Sequence, residues 1–204
     1  PVEFTLNVPT SGGGWSGLVS NLPTSATTPF SRVRKANHFI ASVPLANMAE
    51  EARNHWIGIG RFFRGLEYAN FVNKFGDVPY IDKVLSESDP ELYRKRDART
   101  FVMDKVLEDF KFAAEHVRAQ DGTAKLAVNK YVVLAYMSRV FLFEGTWLKY
   151  HSIDQDRAKI YLEASKWAAE QVITSGLYNV SGDYRAVFSS LDLTSNAEII
   201  MFKK

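Results

Sequence analysis

The chain has 204 residues and not one cysteine. That removes disulfides, thiolate metal sites and cysteine nucleophiles from consideration, without fixing the compartment. A dominant charge is missing too: 25 Lys and Arg against 23 Asp and Glu leave a net +2. No basic run exceeds a few residues, so neither a nucleic-acid footprint nor attraction to an anionic membrane is expected. No apolar stretch approaches the ~20 residues that span a bilayer. Histidines are scarce, four in all. His38 and His55 lack the His-x-x-x-His spacing of helical zinc sites, so no metal is expected, and no cofactor either. Gly-x-Ser-x-Gly, phosphate-loop and dinucleotide fingerprints are absent, and Gly12-Gly13-Gly14 leads into loop rather than helix. What is plentiful is apolar side chain: 46% of the residues are hydrophobic, with 14 Phe, 9 Tyr and 4 Trp. That is enough for one respectable core, and one domain is the default.

Periodicity divides the chain at about residue 30. Residues 1–30, rich in Thr, Ser, Gly and Pro, read as a long loop. Residues 31–204 read as one helical core of five helices, with irregular connections. The first spans about Ser31–Val43 and stops before Pro44. The second runs from Asn47 to Phe75. The third, Thr100–Val117, carries a stripe of Met103, Val106, Leu107, Phe110, Ala113, Ala114 and Val117. The fourth, Asn129–Glu144, is apolar nearly all round, which requires burial on several sides. The fifth, Gln155–Thr174, has small residues at Ala164, Ala168 and Ala169 that admit a close neighbour, and Asp154 caps it. A bulky helix paired with an alanine-rich one is the unit of tetratricopeptide-like arrays, although the full repeat signature is missing. Tyr178–Phe188 reads as irregular, and Glu198–Phe202 as a short strand.

The segment Asn47–Tyr80 is the most informative. Apolar side chains at Ala52, Trp56, Ile59, Phe63, Leu66 and Val72–Phe75 follow a helical period that Asn70 interrupts, which places Phe63 in the core. Asn47 and Glu50 have the spacing of a capping box. Gly76 sits where a positive φ is wanted, Asp77 is expected to bond the turn around it, and Pro79 ends the helix. Arg53, Arg61 and Arg64 are expected to pair with acids on neighbouring helices.

These residues also carry a family resemblance. Glu51-Ala52-Arg53, Arg61-Phe62-Phe63-Arg64, Tyr68 and Phe75-Gly76-Asp77-Val78-Pro79 follow Arg34-Lys35-Ala36-Asn37-His38-Phe39-Ile40. They precede Ser138-Arg139-Val140-Phe141-Leu142-Phe143-Glu144-Gly145, Val172-Ile173-Thr174-Ser175-Gly176-Leu177-Tyr178 and Glu198-Ile199-Ile200. In this order the motifs resemble the SusD/RagB family of nutrient-binding outer-membrane lipoproteins. The resemblance implies an all-α, tetratricopeptide-like helical array with long irregular loops. It also implies a non-catalytic carbohydrate- or nutrient-binding protein, exposed at the cell surface and partnered with a SusC-like, TonB-dependent outer-membrane transporter. Family members are longer at both ends, so the chain is expected to be an internal piece, with the lipidated cysteine upstream.

Candidate contact residues are loop aromatics. Trp15, in a glycine-rich loop, has little local structural reason to be there, and an indole stacks on the flat C–H face of a sugar. Asn21 can offer its amide to a hydroxyl. Trp147 and Tyr150, read as lying in the connection between the fourth and fifth helices, form a second aromatic platform. Against these stand packing roles, and beside the glycan-binding reading stands a helical-repeat module that binds protein. A carbohydrate-active enzyme needs two carboxylates across a cleft. Glu50, Glu51, Asp77, Asp109 and Glu144 are available, but each has a cap, helix face or turn to explain it, so no catalytic residue is expected.

Overall fold

The computed structural model describes residues 29–86, 88–120, 125–180, 184–190 and 192–202. Trp15, Asn21 and the 1–28 part of the expected loop lie outside them. The fold is all-α: α1 (Pro29–Ser42), α2 (Glu50–Phe75), α3 (Arg99–His116), α4 (Lys130–Tyr150), α5 (Gln155–Thr174) and α6 (Tyr184–Ser189), with 3-10 turns at Val43–Leu45 and Pro90–Tyr93. Among the described residues no strand forms, and Val78 and Asp97 make an isolated antiparallel bridge. The strand expected at Glu198–Phe202 does not form: Glu198 ends a turn, Ile200 lies in a bend and the rest is irregular, with the Phe202 amide donating to the Lys125 carbonyl at 3.0 Å. A short segment with no neighbouring strand among the described residues has nothing to satisfy its ladder. The later part of Tyr178–Phe188, expected to be irregular, falls in the helix Tyr184–Ser189. The chain falls into two compact units, one ending at Asp109 and the other beginning at Phe110.

In the first unit α1 and α2 form an antiparallel pair. Phe30 near the start of α1 stacks on Phe71 near the end of α2, with centroids 5.1 Å apart, while Phe39 meets Trp56 edge-on at 6.4 Å. The core-facing side of α2 is not the expected one. His55, Gly58, Phe62, Gly65, Ala69 and Val72 are buried at helical spacing, joined by Arg64, Tyr68 and Phe71. The predicted stripe is rotated by about one residue, or 100°: Trp56 and Phe63 are exposed and Asn70 faces solvent. Nor does Asn47 cap the helix. Ala49 occupies the N-cap without a side-chain bond, and Asn47 lies too far upstream to reach the first-turn amides.

Polar contacts fix the segment after α2. Gly76 ends the helix with φ 69° and ψ −112°, a conformation open to glycine alone, while its N–H donates to the Val72 carbonyl. Asp77 serves another element than expected: its Oδ1 accepts the Arg99 amide at 2.9 Å and so caps α3. Its own turn is already closed by the glycine. The Asn37 amide donates to the carbonyls of Ile81 and Lys83, and the Tyr68 hydroxyl accepts the Ile81 amide at 2.6 Å. Beneath them, Arg64 holds Asp109 through two bonds, Nε to Oδ2 at 2.8 Å and Nη2 to Oδ1 at 2.7 Å. Arg61 Nε adds a third at 2.7 Å. The remaining Arg64 nitrogen donates to Asn37 Oδ1 and the Asp82 carbonyl. Burial alone would lower the Arg64 pKa, but the bond to Asp109 and its Coulomb attraction outweigh that and raise it. Burial likewise pushes the Tyr68 and Tyr80 phenols above their usual range. Arg61 and Arg64 therefore pair with an acid on another helix, as expected, whereas Arg53 Nη2 donates to the Met48 carbonyl just upstream of α2.

In the second unit the stripe predicted for α3 is buried from Phe110 through Val117. Helix α4 begins where the sequence places it, because Asn129 Oδ1 accepts the amides of Tyr131 and Val132 at 2.9 and 3.1 Å. Asn129→Ala should lower stability by about 0.5–2 kcal/mol. Thermal unfolding followed by circular dichroism measures it, and an unchanged midpoint would mean water replaces the cap without loss. Helix α5 has its expected bounds, and Asp154 Oδ1 accepts the Arg157 amide at 2.9 Å. That bond, with the Arg157 side chain, holds the Asp154 carboxyl below its ordinary range. The two helices run antiparallel: Ser165 Oγ donates to the Ser138 carbonyl, Phe141 meets Tyr161 at 5.4 Å, and Gly145 faces Ala158 and Leu162.

Candidate ligand-binding surface

The fourth helix does not stop at Glu144. It continues through Tyr150, so Trp147 and Tyr150 stand on a helix and not in a connecting loop. The physical reason is Gly145. The sequence places the helix end just before it, but a Cβ there would come within 2.7 Å of Leu162 Cγ and 3.1 Å of the Ala158 carbonyl oxygen. The glycine serves close approach of α5 and leaves the helix intact, at a propensity cost of about 1 kcal/mol relative to alanine.

Because the helix persists, aromatic residues four apart share a face. Phe143 and Trp147 lie nearly parallel with centroids 6.2 Å apart. Trp147 and His151 stack at 3.9 Å and 25°, and His151 Nδ1 lies 2.9 Å from the Trp147 carbonyl oxygen. The half-buried indole is thus the middle rung of a ladder, with one face covered by imidazole. Tyr150 is different: its side chain is 77% exposed, with the Lys149 ammonium 5.8 Å from the ring centroid. The ring best placed to meet a ligand from solvent is therefore Tyr150. Phe143, 46% exposed, extends the same face. Phe143 and His151 join this face only because the helix runs past Glu144, and the i, i+4, i+8 spacing of Phe143, Trp147 and His151 is the sequence signal for it.

The carboxylates weighed as catalytic candidates have definite places. Asp109 is held between two arginines, Asp77 receives an amide proton, and Glu144 is fully buried. Glu50 and Glu51 are exposed in the first turn of α2, where a negative charge suits the helix dipole. Among the described residues no helix is long and apolar enough to cross a membrane.

The motifs from Arg34 through Leu142 fall within one family match. A SusD-like family model, described as starch-binding and associating with outer membrane, covers residues 19–142. The chain belongs to the SusD-like family. SusD-like protein P2 of Formosa agariphila is 26% identical over 137 residues, which are 67% of this chain and 26% of that one. A crystal structure of a SusD-like protein from Bacteroides fragilis superposes with a TM-score of 0.62 at 25% identity, over 75% of this chain and 27% of that one. A laminarin-binding SusD-like protein shares the fold at 17% identity and a TM-score of 0.67, over 85% of this chain and 36% of that one. The chain therefore spans about a quarter to a third of the length of these SusD-like relatives.

Proposed function

We propose that this chain is part of a non-catalytic, surface-exposed glycan- or nutrient-binding component of an outer-membrane uptake system. In this reading it is anchored by lipid upstream and delivers its ligand to a SusC-like, TonB-dependent transporter. The supporting observation is SusD-like membership across residues 19–142, with an exposed aromatic face at the end of α4. A tyrosine ring offers an apolar face of the kind that pairs with sugar C–H surfaces, and its hydroxyl remains in water. Tyr150 takes the stacking role, Trp147 lies on the neighbouring aromatic ladder, and Trp15 and Asn21 keep the contact roles their sequence setting suggests. Scaffold and transporter docking fall to the helices. No bond is broken, because capture and release suffice for delivery.

Titration calorimetry of the chain against oligosaccharides first identified on a glycan array tests the reading. Tyr150→Ala and Trp15→Ala should each weaken binding by about tenfold, or ~1.4 kcal/mol. Unchanged affinity in either variant removes that residue from the site. Reducing-sugar release by the purified protein would overturn the non-catalytic assignment. Failure of the membrane-extracted protein to co-purify with a transporter barrel would overturn the partnership. Protein capture without glycan binding would favour the interaction-module reading instead.

A further inference from the structure

A second feature of the α4–α5 hairpin lies on another side of α4. Two residues along a helix point to different faces, so Lys149 does not share the face of Trp147. Lys149 faces a groove of about 330 Å³ whose other wall is the N-terminal half of α5. Lys159, Leu162, Glu163 and Lys166 line it at helical spacing, and Ala158 and Leu162 provide its apolar floor. The volume is at the small end of the ~300–1,000 Å³ typical of ligand pockets, suited to one or two sugar rings.

Three lysines line the groove against a single acidic residue, Glu163. The existing ion pairs are loose. Lys159 lies 3.9 Å from Glu163 and Lys166 lies 3.7 Å from Glu170, all with side chains more than half exposed. Exposed pairs of this kind are weak, so an incoming anion can take over both lysines at little cost. Lys149 has no carboxylate partner among the described residues; its ammonium rests over the Tyr150 ring. An apolar floor with a cationic rim fits neither a bare inorganic anion nor an uncharged chain. It fits a pyranose ring carrying an anionic substituent: the C–H face rests on Leu162 and Ala158, and the anion meets the lysines.

We propose that this groove is an acidic-saccharide subsite, selecting glycans that bear carboxylate or sulfate groups. The assignment rests on the glycan-capture reading and specifies its substrate class. Lys149, Lys159 and Lys166 each contribute a compact point charge to the substituent, and Gln155, whose Nε2 donates to the Lys149 carbonyl at 3.0 Å, ties the start of α5 to the end of α4.

Titration calorimetry of the whole chain against three tetrasaccharides tests it: tetragalacturonate, a sulfated carrageenan tetrasaccharide, and uncharged cellotetraose. At least one anionic tetramer should bind about tenfold or more tighter than cellotetraose, and the carboxylate and sulfate arms tell which substituent is read. The advantage should shrink as salt rises from about 20 mM to about 300 mM. It should vanish in the triple variant K149Q/K159Q/K166Q, whose circular dichroism should be unchanged because the substituted side chains are exposed. If saccharides bind with no anionic preference, or if the preference survives in the triple variant, the groove assignment is overturned and glycan capture stands. If no saccharide binds, on this panel or on a wide glycan array, both are overturned.

Discussion

Asp109→Ala should lower the unfolding free energy by about 3–5 kcal/mol, the scale expected when one partner of a buried ion pair is removed. The Asp109 side chain is 1% exposed and accepts from Arg61 and from two nitrogens of Arg64. Alanine would leave the Arg64 guanidinium, itself 8% exposed, with only neutral oxygens to face. Arg61 can recover part of its hydration, since it is 24% exposed, so most of the loss comes from Arg64. The consequence reaches beyond the pair. Arg64 also bonds Asn37 and the Asp82 carbonyl, and Asn37 holds the carbonyls of Ile81 and Lys83. Loss of the carboxylate should therefore loosen residues 79–85 as well as destabilise the unit. Urea unfolding gives the free energy, and hydrogen exchange at the Ile81 amide reports the loosening. A loss below about 1 kcal/mol with exchange unchanged would mean that Arg64 finds water, and that the ion pair is not what orders this segment.

That network shows which parts of the fold could be read from residues and which could not. Apolar periodicity located every long helix, since burying an apolar stripe requires a 3.6-residue repeat whatever the tertiary arrangement. Short-range chemistry was legible in part: Asp154 caps its helix through a bond that spans three residues, while Asn47, read as a cap in the same way, does not. Long-range partners were not. Nothing local to Asp77 indicates that its carboxylate receives an amide 22 residues away. Gly145 followed the same logic. Its role depends on Leu162 and Ala158 of the next helix, and without them a glycine after a helical run reads as an ending. This single misreading moved Trp147 and Tyr150 off their helix and hid the ladder they form with Phe143 and His151. The lysine groove escaped for a related reason, because Lys149 and Lys166 become neighbours only when α4 and α5 pair.

On α2 the two candidate faces are chemically almost equivalent, and a pair of adjacent phenylalanines separates them. Phe62 is 1% exposed whereas Phe63 is 45% exposed, although both are apolar and lie 100° apart on the helix. What selects the Phe62 side is the polar network. Arg64 and Tyr68 must face Asp109 and Ile81, and their bonds fix the rotation of the helix about its axis. A stripe chosen by hydrophobicity alone puts both polar side chains off the core, so it selects the wrong face. Phe62→Ala should accordingly cost about 3–5 kcal/mol, through lost burial and the cavity left behind. Phe63→Ala should cost less than about 1 kcal/mol, since truncating a half-exposed ring leaves a surface that water fills. Urea unfolding of the two variants under identical conditions makes the comparison direct. Equal losses would mean that both rings are packed, and a larger loss for Phe63 would mean that α2 is rotated the other way and that the Arg64–Asp109 pair does not set its orientation.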